Sequence, residues 1–240
     1  MDTKMIKRSV LLFVAGVCSV CVMAQEWKKQ HEVSIGDFTE LKVNDNINVV
    51  YSNNPDSLGK AQFMISNDKA SAIIFSNNKK GVLTVQIAQE YESETKLPTV
   101  YVYSPYLQTI KNSSDSTVRV EKMSPCPEFK LITVGNGKIV AKEVNATKVV
   151  CEQRTGKGVI VVGGKCQSGQ FKVLGSGEIL ADELSCANIS CNILGTGTIG
   201  CNTQGVLSVK GMGSGKVYYA GTPKEINTSQ MGSIKVIPVE

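Results

Sequence analysis

After residue 110 the chain returns, at a nearly fixed interval, to a glycine-bracketed turn followed by a branched aliphatic residue. The copies are Gly135-Asn136-Gly137, Gly156-Lys157-Gly158, Gly175-Ser176-Gly177, Gly195-Thr196-Gly197 and Gly213-Ser214-Gly215, with a worn one at Gly232-Ser233. Successive first glycines stand 21, 19, 20, 18 and 19 residues apart. A period near twenty marks a solenoid, because a coil of that length cannot bury its own apolar face and must stack on neighbours. It also leaves no room for a helix in each coil.

Aligning the copies shows which positions face inward. Four residues past the first glycine stand Ile139, Ile160, Ile179, Ile199, Val217 and Val236. Two further on stand Ala141, Val162, Ala181, Cys201 and Tyr219, with variable residues between the two columns. That two-residue rhythm is strand periodicity. An eroded earlier coil fits the same ruler, with Ser114-Asp115-Ser116 at the turn, Val118 and Val120 inward, and Leu107 and Ile110 on the strand before. The glycines read as corner residues, required for positive φ or for close backbone approach. They do not form a dinucleotide fingerprint, which needs a third glycine and a following helix. Nor are they calcium-binding β-roll repeats, since Ile139, Ile160, Ile179, Ile199 and Val217 occupy the places that need Asp.

Residues 1–24 have the pattern of a secretory signal. Lys4, Lys7 and Arg8 precede an apolar stretch from Val10 to Val22, and Ala24 offers a cleavage point. Export to the periplasm or cell surface is expected. Lipidation at Cys18 or Cys21 is disfavoured, because neither follows the usual Leu-(Ala/Ser)-(Gly/Ala) triplet. Residues 25–34 read as a flexible tether and 35–240 as one all-β domain. Within it, 35–103 are expected to be irregular capping strands, including a hairpin of Ile73–Phe75 with Val85–Ile87, and 104–240 the repeated coils. The 26 basic and 21 acidic residues give +5, falling to about +3 without the signal, too mild and too scattered for a nucleic-acid partner.

Six cysteines remain after the signal, in a compartment that permits disulfides. Cys126, Cys166 and Cys186 each precede a turn glycine by nine residues, with Thr147 at that place in the coil between the first two. Cys166 and Cys186 fall on neighbouring coils and are the best-placed pair. Cys126 and Cys166 are two strand spacings apart, roughly 10 Å, beyond disulfide reach. The remaining thiols read as buried and free, Cys201 as a small core residue in a column of alanines. With His31 the only histidine and no Cys-x-x-Cys in the domain, neither a metal site nor a cofactor is expected. The same shortage argues against Ser-His-Asp or Cys-His catalysis.

Two constellations are left. Glu178, Asp182 and Glu183 are the densest acidic group in the coils, and a glycosidase needs paired carboxylates at a set spacing. The plainer reading is a solvated corner. Tyr101, Tyr103 and Tyr106 could stack on sugars, although alternating tyrosines also serve ordinary strand packing.

The order of segments has a counterpart in a known family. Phe38 to Val49, containing Asn46-Ile47-Asn48, leads to Val82–Val85, then to Val100–Leu107, then to the Gly-Ser-Gly and Gly-Thr-Gly coils, and finally to Gly221-Thr222-Pro223. This resembles the exported Bacteroidetes family called putative auto-transporter adhesin, head GIN domain, across nearly the whole exported chain. The family's Gly-Ile-Asn is Asn-Ile-Asn here. The resemblance implies a right-handed parallel β-helix-like solenoid on the envelope side of the cell, and it supplies no catalytic residues. The expected function is a non-catalytic, adhesin-like surface protein that binds a glycan or protein partner. The alternatives are an envelope scaffold self-associating through open solenoid edges, or a polysaccharide-active β-helix enzyme.

Overall fold

The computed structural model describes residues 28–94 and 96–239, so the signal sequence and its cleavage point lie outside the described residues. The chain opens with β1 (Lys29–Ser34), β2 (Glu40–Val43), β3 (Val49–Ser52) and β4 (Lys60–Ile65). It continues through β5 (Ile73–Asn77), β6 (Val82–Ile87), β7 (Val100–Tyr103), β8 (Thr109–Asn112) and β9 (Thr117–Lys122). The coils proper run through β10 (Cys126–Thr133), β11 (Lys138–Gln153), β12 (Val159–Gly175) and β13 (Glu178–Gly195). They finish with β14 (Thr198–Thr203), β15 (Val206–Gly213), β16 (Lys216–Ala220), β17 (Glu225–Gly232) and β18 (Lys235–Pro238).

Parallel pairing turns these strands into a β-solenoid. One ladder runs β7, β3, β9, β11, β12, β13, β14, β16, β18. Its inward residues Val100, Val49, Val118, Ile139, Ile160, Ile179, Ile199 and Val217 are all fully buried. A facing ladder carries Leu83, Leu41, Ile110, Leu131, Cys151, Phe171, Cys191 and Val209, equally buried. The two columns meet in one continuous core. Like residues stacked at the strand spacing exclude water along the whole axis, which is how quasi-one-dimensional folds accumulate stability.

The glycine pairs divide two jobs. Gly195, a first glycine, has φ of +129°, a backbone that L side chains rarely adopt. Gly197, a second glycine, is needed for space, because a Cβ there would lie 2.3 Å from Val173 Cγ1 and 2.6 Å from the Gly177 carbonyl oxygen. In the eroded coil a buried side chain holds the turn. Asn112 Nδ2 donates to the Ser116 carbonyl, and Asn112 Oδ1 accepts from the Ser114 amide and hydroxyl.

Three expectations are corrected. Residues 29–34, expected within a flexible tether, form β1, which pairs antiparallel with β4 from Lys29↔Ile65 to Ser34↔Lys60. Its side chains are mostly exposed, so backbone hydrogen bonding to β4 holds it and the polar sequence concealed it. His31, within it, stacks on Phe63 with ring centroids 5.5 Å apart. Second, residues 35–103 are irregular capping strands only in part, because β2, β3, β6 and β7 join the parallel ladders. The β2–β3 coil is inserted between the β6–β7 coil and the β8–β9 coil, all parallel. Among the described strands only β1, β4 and β5 lie antiparallel, β5 in the expected hairpin with β6. Third, Ala146 rather than Thr147 stands between Cys126 and Cys166, because Thr133 pairs with Gln153 and the next turn takes one extra residue around Arg154-Thr155. Gln153 Nε2 donates to the Thr155 and Gly156 carbonyls and braces that longer turn.

Beside it, Glu152 lies 2.9 Å from Lys130 and 2.8 Å from Arg154. Burial pushes its carboxyl up, but the hydrogen bonds from Lys130 and Arg154 outweigh that and leave it below the usual value of 4.5. A depressed folded pKa means stabilisation that is present above about pH 4.5 and lost as pH falls through the folded value. Glu152→Gln should therefore cost about 1 kcal/mol or less at pH 7 and flatten the acid limb of a denaturation curve.

A tyrosine-walled cleft beside the capping strands

On β7, Val100 and Val102 point into the core, which turns Tyr101 and Tyr103 outward. On β4, Ala61 and Phe63 are buried and Gln62 and Met64 face out, with Tyr101 opposite Gln62. On β1, Gln30 pairs with Met64 and Glu32 with Gln62. The outer faces of these three strands form one wall. Lys28 and Pro98 complete a cleft of about 510 Å³ over Tyr101, Tyr103, Met64 and the amides of Gln30 and Gln62.

Hydrogen bonds fix the polar part of this wall. Tyr103 Oη donates to Gln62 Oε1 at 3.3 Å, Gln62 Nε2 donates to Glu32 Oε2 at 2.9 Å, and Lys60 Nζ lies 2.7 Å from Glu32 Oε1. Burial first, then the nearby Glu121 and Tyr101, push the Tyr103 phenol above its ordinary value, so it stays a hydrogen-bond donor at neutral pH. The Lys60 and Gln62 hydrogen bonds hold the Glu32 carboxyl low and charged. Tyr101 is 40% exposed and Met64 55%, so an aromatic face and a thioether stay open to a ligand.

Two of the three tyrosines singled out from sequence therefore share a cleft. Tyr106 is exposed but does not line it. Lys28, Met64 and Pro98 gave no sequence signal, since three distant segments bring them there. Glu178, Asp182 and Glu183 line none of the clefts described, and Glu183 is 3.6 Å from Lys142. Cys166 and Cys186 are joined as a disulfide across neighbouring coils, Cα to Cα 4.9 Å. Cys126, Cys151, Cys191 and Cys201 are free thiols. A second groove of about 470 Å³ runs over Cys126, Ala146 and Cys166 at this corner. Burial pushes the Cys126 thiol up, so it is a poor nucleophile there. Among the described residues no group of three or more His, Cys, Asp or Glu is placed to hold a metal, and no helix is long and apolar enough to cross a membrane.

A parallel β-solenoid flanked by antiparallel strands, with tyrosines lining a cleft on its outer face, defines the fold class. The chain belongs to the family "Putative auto-transporter adhesin, head GIN domain", which matches residues 37–223. Solved structures share the fold. A "putative adhesin" from Bacteroides fragilis is 18% identical with a TM-score of 0.80, the match covering 89% of this chain and 98% of that one. Another from Parabacteroides merdae is 19% identical with a TM-score of 0.70, covering 89% and 96%. A "putative lipid binding protein" from Parabacteroides distasonis is 20% identical with a TM-score of 0.67, covering 89% and 97%. No protein of curated function matches the chain.

Proposed function

We propose that the protein is an exported, non-catalytic envelope protein that binds a glycan in the Tyr101–Tyr103 cleft. The observation that carries this is the pairing of an open tyrosine face with a hydrogen-bonded glutamine amide in one concave wall. Sugars present an apolar C–H face and a rim of hydroxyls, and an aromatic plane beside fixed amides complements both. Family membership supports a surface role.

The test is an array of bacterial and host glycans probed with residues 25–240, with released sugar assayed in the same wells. Binding without turnover is expected, and Tyr101→Ala should weaken it about tenfold, roughly 1.4 kcal/mol. Unchanged binding in that variant would remove the cleft from the reading. Turnover would move attention to Glu178, Asp182 and Glu183.

A second reading, self-association, draws support from an outward apolar ladder. Leu194 pairs with Met212 and Met212 with Met231, and all three are exposed. A sedimentation coefficient that rises with concentration would favour it.

A further inference from the structure

Next to the tyrosine cleft lies a smaller recess of about 210 Å³ that shares Lys28, Met64 and Pro98 with it. Its other walls include Ser66, Lys69, Glu94 and Lys96. Lys69 Nζ is 3.1 Å from Glu94 Oε1, so those two charges offset each other. Lys28 and Lys96 remain as surplus positive charge, exposed and without an ion-pair partner among the described residues. The recess is therefore cationic, concave and continuous with an aromatic wall.

We infer that this recess receives the carboxylate of an acidic sugar whose neighbouring ring rests on Tyr101, which makes the cleft selective for uronic-acid polysaccharides. The inference rests on the glycan reading above and sharpens it. An ammonium beside a carboxylate in a partly enclosed site gains more than the same pair in open water. The amides of Gln30 and Gln62 face the hydroxyl rim of such a chain, a feature an acyl chain would leave unused.

The experiment measures the affinity of the full exported chain for several uronic-acid polysaccharides, polygalacturonate, alginate and hyaluronan, each beside its carboxyl-reduced neutral form. The acidic forms should bind about tenfold tighter. The double variant Lys28→Ala/Lys96→Ala should lose that preference and keep its affinity for the neutral forms. A control pair on the exposed surface, Lys157→Ala/Lys224→Ala, should keep it. Equal affinity for acidic and neutral forms overturns the inference and leaves the glycan reading standing. No binding to any member of the panel overturns the inference, and silence on the glycan array as well overturns the glycan reading with it. A preference that persists without Lys28 and Lys96 assigns it to general basic charge and overturns the recess. Binding to anionic phospholipid vesicles that depends on the same two lysines, with no polysaccharide binding, transfers the site to lipid and also overturns it.

Discussion

Replacing Ile179 with Asp should abolish the cooperative thermal transition of the protein. Ile179 is fully buried between Ile160 and Ile199 in the continuous inward ladder. An unpaired carboxylate there costs several kcal/mol whether it stays charged or takes up a proton, a sum comparable with the roughly 5–15 kcal/mol that holds a whole domain. In a stack the damage also spreads, because each coil contacts only its neighbours and a broken coil separates the ends. Ile179→Val, which keeps the apolar character, should cost only about 1 kcal/mol. Far-UV circular dichroism on heating distinguishes the two, and a retained sharp transition in the Asp variant would falsify the inward assignment of this column.

Gly197→Val should be the next most damaging change, on the order of 4 kcal/mol, although its backbone is not in the left-handed region. The loss is steric. Even the first added carbon would sit inside Val173 and against the Gly177 carbonyl, atoms of the preceding coil that cannot withdraw without opening the ladder. Thr196→Ala, one residue away and exposed, should change stability by no more than about 0.5 kcal/mol. Chemical denaturation of the pair measures the contrast. A Gly197→Val protein as stable as its Thr196→Ala counterpart would mean that the coils sit further apart than the structure places them.

The ladders were readable in the sequence because solenoid geometry writes itself at a fixed period. Ile139, Ile160, Ile179 and Ile199 need no long-range information to be aligned. The alternation of Val100 and Val102 with Tyr101 and Tyr103 was equally local, but it left open which pair faces inward, and only the burial of the valines puts the tyrosines outside. What was hidden depends on contacts between distant segments. Nothing near Glu40 signals that β2 lies between β6 and β8. The one-residue error at Ala146 arose because a turn glycine was used as the ruler, and the extra residue sits between that glycine and the strand. β1 was missed because its six residues bury almost no apolar surface and hold their place through backbone hydrogen bonds and through contacts of His31 and Glu32 with the distant β4.

The insertion of the β2–β3 coil between two later ones sets the order in which the molecule can assemble. From β12 onward each coil docks on the one just before it, as Glu178 pairs with Thr198, so the loop to be closed is short. At the other end Glu40 must find both Val82 and Thr109 before its two edges are satisfied. Closing those distant loops comes before any reward, so pairing of the amino-terminal strands carries the higher contact order and is expected to be the slower step. The later coils need only short loops to be closed, so local growth suffices for them. A chain emerging vectorially across a membrane would hold its first strands incomplete until β8 and β9 had followed, an interval in which an unpaired β2 edge is exposed to other chains.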